Sequence, residues 1–363
     1  MAMNLDLVPV SEWGFFTLPK PMIVAGPCSA ESEEQVMETA RGLKDLGIHV
    51  FRAGVWKPRT HPGGFEGYGA PALKWLARVK KELGMFTCCE VANEKHVYEC
   101  IKHGVDMLWV GARTSANPFL MQELADAISD ADIPVLVKNP VNPDLELWIG
   151  ALERLNRAGV RKLGVVHRGF TTSQKMAYRN DPGWNIALRL RTLYPNLPFF
   201  ADPSHMGGSR QYLLELSQRA LDLGLDGLMI EVHNNPSCAL SDAKQQLTPE
   251  GLQDLLGKIV VRDPDSDSSD YRENISQLRT QIDILDENIL QLLSQRMEIS
   301  EKIGQYKKDH NIAIVQASRW DSLLADIVGK GLAAGMSEEF LNTVFAAIHT
   351  ESVRKQNDIL ESK

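Results

Sequence analysis

The sequence predicts a parallel α/β barrel followed by a small all-helical domain, and three observations carry that expectation. Short apolar, β-prone runs recur eight times between residue 22 and about residue 233, their starts 21 to 36 residues apart. Helix-like stretches separate them. The rhythm ends at residues 262–270, RDPDSDSSD, beyond which apolar residues recur only at threes and fours. Continuous apolar strands that alternate with helices make a parallel sheet buried on both faces. Eight such units fit a closed (β/α)8 barrel; a doubly wound open sheet is the structural rival, and the count of eight disfavours it.

In chain order, the strand-like runs are residues 22–27, 50–56, 86–91, 107–112, 134–139, 162–169, 198–205 and 227–233. Residues 32–46, 72–83 and 211–223 are among the helical stretches between them. The acidic, Ser-rich run holds no apolar residue to bury and reads as a linker. Beyond it, Ile275, Leu278, Ile282, Leu285, Ile289, Leu292, Ile299 and Ile303 mark one face of a long amphipathic helix. Shorter helices follow at 317–329 and 338–360. The resulting division is a barrel domain at 1–261, a linker at 262–271 and a helical domain at 272–363. One long helix and two short ones bury little apolar surface alone, so the helical domain is expected to form a homodimer.

Bulk properties narrow the function. A chain of 363 residues is long for one core and comfortable for two. A formal net charge of −8 and an isoelectric point near 5.7 speak against nucleic-acid and membrane partners. The N-terminus has no basic segment followed by an apolar run, so no signal peptide is expected. No stretch approaches the apolar length of a membrane span. The five cysteines, Cys28, Cys88, Cys89, Cys100 and Cys238, are odd in number and lack secretory context. They predict reduced thiols and a cytoplasmic protein.

In such a barrel, catalytic groups belong at the C-terminal strand ends. There the first run reaches Cys28, the second Lys57 and Arg59, the fourth Arg113 and the fifth Lys138. The sixth ends at His167 and Arg168, the seventh at His205 and the eighth at Glu231, with Asp242 in the last loop. Each residue has a structural reading when taken singly: a small buried hydrophobe for Cys28, a satisfied histidine, a solvated cation. Gathered on one rim, they make a metal-competent set beside several cations, which suits a divalent metal and phosphorylated anions. Cys88 and Cys89 point to opposite faces of one strand and cannot chelate together.

The runs AGPCS (25–29), FRAG (51–54), KPRT (57–60), GART (111–114), ADPSH (201–205) and SDAKQQL (241–247) make the reading specific. Over roughly residues 7–260 the chain resembles the type I 3-deoxy-D-arabino-heptulosonate 7-phosphate (DAHP) synthases, most closely their short β subgroup. The resemblance implies that Cys28, His205, Glu231 and Asp242 hold a divalent metal, Mn²⁺ foremost, with Fe²⁺, Co²⁺ or Zn²⁺ as alternatives. Such borderline metals suit a mixed sulfur, nitrogen and oxygen donor set. It implies that Arg52, Lys57, Arg113, Lys138 and Arg168 hold phosphoenolpyruvate, with Lys57 also catalytic, and that Arg59 and Thr60 bind the phosphate of erythrose 4-phosphate. The related synthase that uses arabinose 5-phosphate carries an Asn-containing segment where this chain has KPRT, and Pro58 favours the four-carbon sugar. Metal-independent variants of that synthase would carry Asn at position 28.

In the tail, Arg296 and Lys307 are 11 residues apart, three turns with about 20° of rotation, and share a helix face. Arg279 lies 17 residues before Arg296, about 25 Å along the axis, too far to reach the same ligand. Ser352 and Gln356 are i,i+4 neighbours. Charges on such a helix commonly form its wet side. The pattern LRxxIDxLDxxIxxLLxxR followed by IGxYK, however, resembles the all-helical chorismate mutases over residues 272–360. By that resemblance Arg296 and the Arg279 of a second copy clamp the carboxylates of chorismate, Lys307 and Gln356 meet its ether oxygen, and Arg319 and Ser352 complete the pocket. Gln316 and Trp320 stand where the family usually offers acidic side chains, which implies weaker affinity for the substrate hydroxyl. The competing reading is a regulatory and dimerisation module that binds prephenate or chorismate with weak catalysis. Prephenate is the expected feedback inhibitor, because only about 21 residues precede the first strand and the tail is left as the sensor.

Overall fold

A computed structural model of the chain describes residues 4–16, 21–57, 63–129, 131–173, 176–263, 268–314 and 317–361, without the side chains of 317–319 and 321–322. It divides into two compact units, Met1–Pro264 and Asp265–Lys363. Among the described residues, no helix is long and apolar enough to cross a membrane.

The first unit is a closed barrel of parallel strands in sequential order: β1 (Met22–Gly26), β2 (Val50–Arg52), β3 (Phe86–Val91), β4 (Met107–Val110), β5 (Val135–Lys138), β6 (Leu163–His167), β7 (Phe199–Ala201) and β8 (Gly227–Glu231). β1 closes on β8 with Met22 opposite Gly227 and Gly26 opposite Glu231. The strands sit where the apolar runs place them, and all but β3 end earlier. The run at 198–205 gives only Phe199–Ala201, because Asp202 caps a short helix, Pro203–Gly207, whose first residue has no N–H to offer a ladder. The run at 50–56 likewise ends at Arg52, and Gly54 pairs only with Ser29 in an isolated bridge.

Two apolar layers follow from strand alternation. Val24, Val50, Cys88, Trp109, Leu136 and Phe200 point into the barrel, while Phe51, Cys89, Val110, Val137 and Ile230 pack outward against the helices. Trp13, with Phe15 and Phe16, packs onto the interior layer; the Phe15 ring lies 4.7 Å from that of Phe86, at the start of β3. The N-terminal segment therefore floors the barrel and leaves the opposite rim for chemistry.

The second unit has three helices: Ser269–Asp309, Ala317–Ala333 and Glu338–Glu361. The first begins inside the polar run, with Ser268 Oγ accepting from the Tyr271 N–H. The first and third helices approach closely at Gly304, where a Cβ would stand 3.0 Å from Gln356 Cα. Leu278, Ile282, Leu285, Ile289 and Leu292 are each more than half exposed in the single chain.

Candidate functional site

The C-terminal strand ends surround a cavity of about 430 Å³. Arg52, Lys57, Arg113, Lys138 and Arg168 all line it, and Arg179 adds a cation that sequence reasoning missed. The floor is built by close approach: a Cβ at Gly26, whose φ is 150°, would lie 2.0 Å from the Arg52 carbonyl oxygen. Glycine there lets β1 deliver Cys28 to the same rim as Arg52. Arg59 and Thr60 of the KPRT run lie outside the described residues.

Donor atoms of Cys28, Glu231 and Asp242 all lie within 4.8 Å of one another. His205 Nε2 stands 3.6 Å from Glu231 Oε1 and 3.9 Å from Asp242 Oδ2. A thiol, an imidazole and two carboxylates thus converge, and this donor set fits a borderline divalent cation. Burial pushes the Cys28 thiol up to about 12, and Glu231 adds to the shift. A cation at this point would reverse that balance. Burial would raise the Asp242 carboxyl, yet His205 and Arg179 hold it well below the usual range. Asp242 sits at φ 47°, a left-handed conformation uncommon outside glycine.

Around these groups lies a web that the sequence reading did not assign. Asp202 Oδ2 accepts from His205 Nδ1 at 2.8 Å and from Lys138 Nζ at 2.7 Å, while Oδ1 caps the His205 N–H. One buried carboxylate thus sets the histidine tautomer, leaving Nε2 to face the donor cluster, and anchors a cavity cation. Its one sequence signal is its place three residues before His205, ahead of a proline. His167, by contrast, donates from Nε2 to the Pro182 carbonyl and packs among Trp148, Phe170 and Trp184. It does not line the cavity.

Arg52 is 1% exposed, yet among the described residues its Nε and Nη1 have no hydrogen-bond partner. Only Nη2 is engaged, donating to Glu231 Oε1 at 3.3 Å. Buried N–H groups without acceptors are costly, so a guanidinium so placed is built for an anion in the cavity. Lys57 Nζ donates to the Cys28 carbonyl at 3.0 Å. Burial would lower its pKa, but Cys28 and Glu90 push it up to about 12. Burial lowers Arg168 to about 10.

In the helical unit, Arg296 Nη1 donates to Ser352 Oγ and Lys307 Nζ to the Ile314 carbonyl. Gln356 is 9% exposed, and its buried Oε1 has no partner among the described residues. Arg296, Ser352 and Gln356 therefore lie along one seam between the first and third helices, while Arg279 is exposed on the same continuous first helix. The side chain of Arg319 and all of Gln316 lie outside the described residues. Trp320 stacks on His349 at 4.0 Å.

Both units match known protein families. The DAHP synthetase I family profile matches residues 19–262, and the chorismate mutase type II profile matches residues 278–357. A phospho-2-dehydro-3-deoxyheptonate aldolase from Thermotoga maritima is 35% identical, over 67% of this chain and 68% of that protein. A crystal structure of that enzyme superposes with a TM-score of 0.60 at 34% identity, covering 65% of this chain and 67% of that one. A 2-dehydro-3-deoxyphosphooctonate aldolase from Delftia acidovorans is 27% identical, over 69% of this chain and 93% of its own length.

Proposed function

The chain belongs to the DAHP synthetase I family and carries a type II chorismate mutase unit behind its barrel, and from that premise we propose how each site works. The chain is an enzyme twice over. Its barrel condenses phosphoenolpyruvate with erythrose 4-phosphate to DAHP and phosphate; its helical unit rearranges chorismate to prephenate. Both reactions serve aromatic biosynthesis.

The family is metal-dependent, and the residues present fit a divalent cation held by Cys28, His205, Glu231 and Asp242. Mn²⁺ is the metal we assign, with Fe²⁺, Co²⁺ and Zn²⁺ as substitutes. Bound there, the ion supplies a Lewis acid for the sugar aldehyde. The observation that carries the reading is Arg52, a buried cation with two N–H groups unpaired among the described residues, on a cavity rimmed by Lys138, Arg168 and Arg113. These side chains hold the carboxylate and phosphate of phosphoenolpyruvate and orient C3 toward the aldehyde carbon. Lys57, protonated across the neutral range, gives its Nζ proton to the oxygen that gains charge as the carbon–carbon bond forms; water then adds at the C2 cation left behind, and phosphate departs from the tetrahedral adduct as its C–O bond breaks. Arg59 and Thr60 take the phosphate of erythrose 4-phosphate. The test is to supply phosphoenolpyruvate with erythrose 4-phosphate or with arabinose 5-phosphate and detect the product. Preference for the five-carbon sugar would overturn this reading.

The helical unit acts as a homodimer. The exposed Leu278, Ile282, Leu285, Ile289 and Leu292 make an apolar stripe that a second copy would cover. Arg296 and the second copy's equivalent of Arg279 clamp the two carboxylates of chorismate. Lys307 and Gln356 meet the ether oxygen as the C–O bond breaks, with Arg319 and Ser352 completing the pocket. No covalent step is needed, and catalysis is conformer selection with electrostatic stabilisation. Prephenate, bound in the tail, inhibits the barrel. Truncation after about residue 262 should release that inhibition, and a truncated barrel still inhibited at the same concentration would exclude the tail as sensor.

A further inference from the structure

The SDAKQQL run does more than supply Asp242. Gln246 is fully buried and uses both ends of its amide. Its Oε1 accepts the backbone N–H of Cys28 at 3.0 Å, and its Nε2 donates to the backbone carbonyl of Ser241 at 2.8 Å. One side chain thus spans from the backbone of one metal-competent residue to the peptide unit immediately before another. A second tie runs beside it. Glu31 Oε1 accepts from Ser29 Oγ at 2.8 Å and from the Leu240 N–H at 3.0 Å, and Ser29 Oγ also meets Ser241 Oγ. The same carboxylate faces His233 Nε2 at 3.5 Å. His233 Nδ1 accepts the Asn235 N–H, so the proton of the neutral ring sits on Nε2, on the side of Glu31. The two loops that follow β1 and β8 therefore converge on Glu31 and Gln246.

What the ties restrain is the left-handed turn at Asp242. A non-glycine residue at φ 47° persists only where its surroundings over-determine it. Here the two residues before it are fixed through Leu240 N–H, Ser241 Oγ and the Ser241 carbonyl, all to groups on or beside the Cys28 loop. We propose that Gln246 and Glu31 are positioning residues of the metal centre, a double cross-brace that sets the Cys28–Asp242 separation and with it the affinity for the ion. The inference rests on the metal-site reading above. Neither side chain lines the cavity or belongs to the donor cluster. Each acts through the backbone of the donors, so its loss should weaken metal binding about 10- to 100-fold, the usual effect of removing a group that orients ligands.

The probe is Co²⁺, added to the full chain after metal removal and followed by its thiolate-to-cobalt charge-transfer absorption. Wild-type protein should show the band; its absence would fail the metal-site reading itself, separately from the brace. Gln246→Leu keeps the volume and removes both bonds, and Glu31→Ala removes the second tie. Both should bind Co²⁺ about 10- to 100-fold more weakly and with an altered charge-transfer band. Trp148→Phe, a core change away from the donors, should lower the melting temperature without moving either readout. Wild-type Co²⁺ affinity and spectrum in a folded Gln246→Leu protein would overturn the proposal. If Gln246→Leu does not fold, Glu31→Ala decides by the same readouts.

Discussion

Replacing Asp202 by Asn tests the electrostatic frame of the barrel site, because the change keeps shape and removes one charge. The amide oxygen can still cap the His205 N–H, so the short helix Pro203–Gly207 should survive. The bond to Lys138 Nζ, now 2.7 Å, loses its anion inside a buried environment. Breaking a buried pair by removing one partner costs about 3–5 kcal/mol. With the cap retained, the lower end applies, about 3 kcal/mol. At about 2–4 °C per kcal/mol for a domain of this size, the barrel transition should fall by about 6–12 °C. A second effect is independent of the first. The Asn N–H₂ would donate to His205 Nδ1, moving the ring proton to Nε2, the nitrogen that faces Glu231 and Asp242. A protonated Nε2 cannot ligate, so metal affinity should drop about 10- to 100-fold. Calorimetry of the metal-free protein reads the first effect and Co²⁺ titration the second. An unchanged transition together with unchanged affinity would refute the role of Asp202 in both.

Arg52→Met should raise the KM for phosphoenolpyruvate about 10- to 150-fold, the loss of about 1.5–3 kcal/mol expected for a charged hydrogen bond; an unchanged KM would place the anion elsewhere. Chelation, or Cys28→Ala, should abolish synthase turnover and spare mutase turnover, and full synthase rates in metal-free buffer would contradict that. Arg279→Ala and Arg296→Ala homodimers should each be nearly inactive as mutases, whereas mixed dimers should recover one intact site in two. Failure to recover in dimers shown to be mixed would rule out action in trans. Burial holds His167 at about 4, below its ordinary 6.5. The folded state then binds fewer protons than the unfolded state between those values, so its contribution is present above about pH 6.5 and lost as pH falls towards 4, up to about 3 kcal/mol. His167→Phe should flatten the acid side of the barrel's stability profile, and an equally steep profile would show that another group is responsible.

The barrel was legible because strands buried on both faces leave continuous apolar runs, and strand ends point to chemistry. That logic gathers Cys28, Glu231, Lys57, Arg59, Arg113, Lys138 and Arg168 on one rim, whereas Arg52 comes only from the family resemblance and Arg59 lies outside the described residues. It also overextended the strands at Trp56 and His205; at the latter an N-cap, Asp202, and a proline, Pro203, end the ladder. Asp202, Arg179, Gln245 and Gln246 escaped notice because their importance is geometric. Gln245, for instance, donates to Glu231 Oε2 at 2.7 Å, a contact that no local spacing encodes. His167 was grouped with the rim on position alone, and only its aromatic surroundings reveal a packing residue. In the tail, periodicity gave the helices, but the seam between Arg296, Ser352 and Gln356 joins positions 60 residues apart from first to last, beyond the reach of any periodic pattern.

The first helix of the second unit runs unbroken for 41 residues, a rod of about 60 Å. Arg279 and Arg296 are therefore graduations on one ruler. Exchange of the intervening letters leaves their phase and spacing alone. A single inserted residue between them would turn one against the other by about 100° and lengthen the gap by about 1.5 Å, disturbing both sites of a dimer at once. Seven inserted residues would restore the angle to within about 20° yet displace it by about 10 Å. Between these two arginines, length is the stricter constraint and identity the looser one.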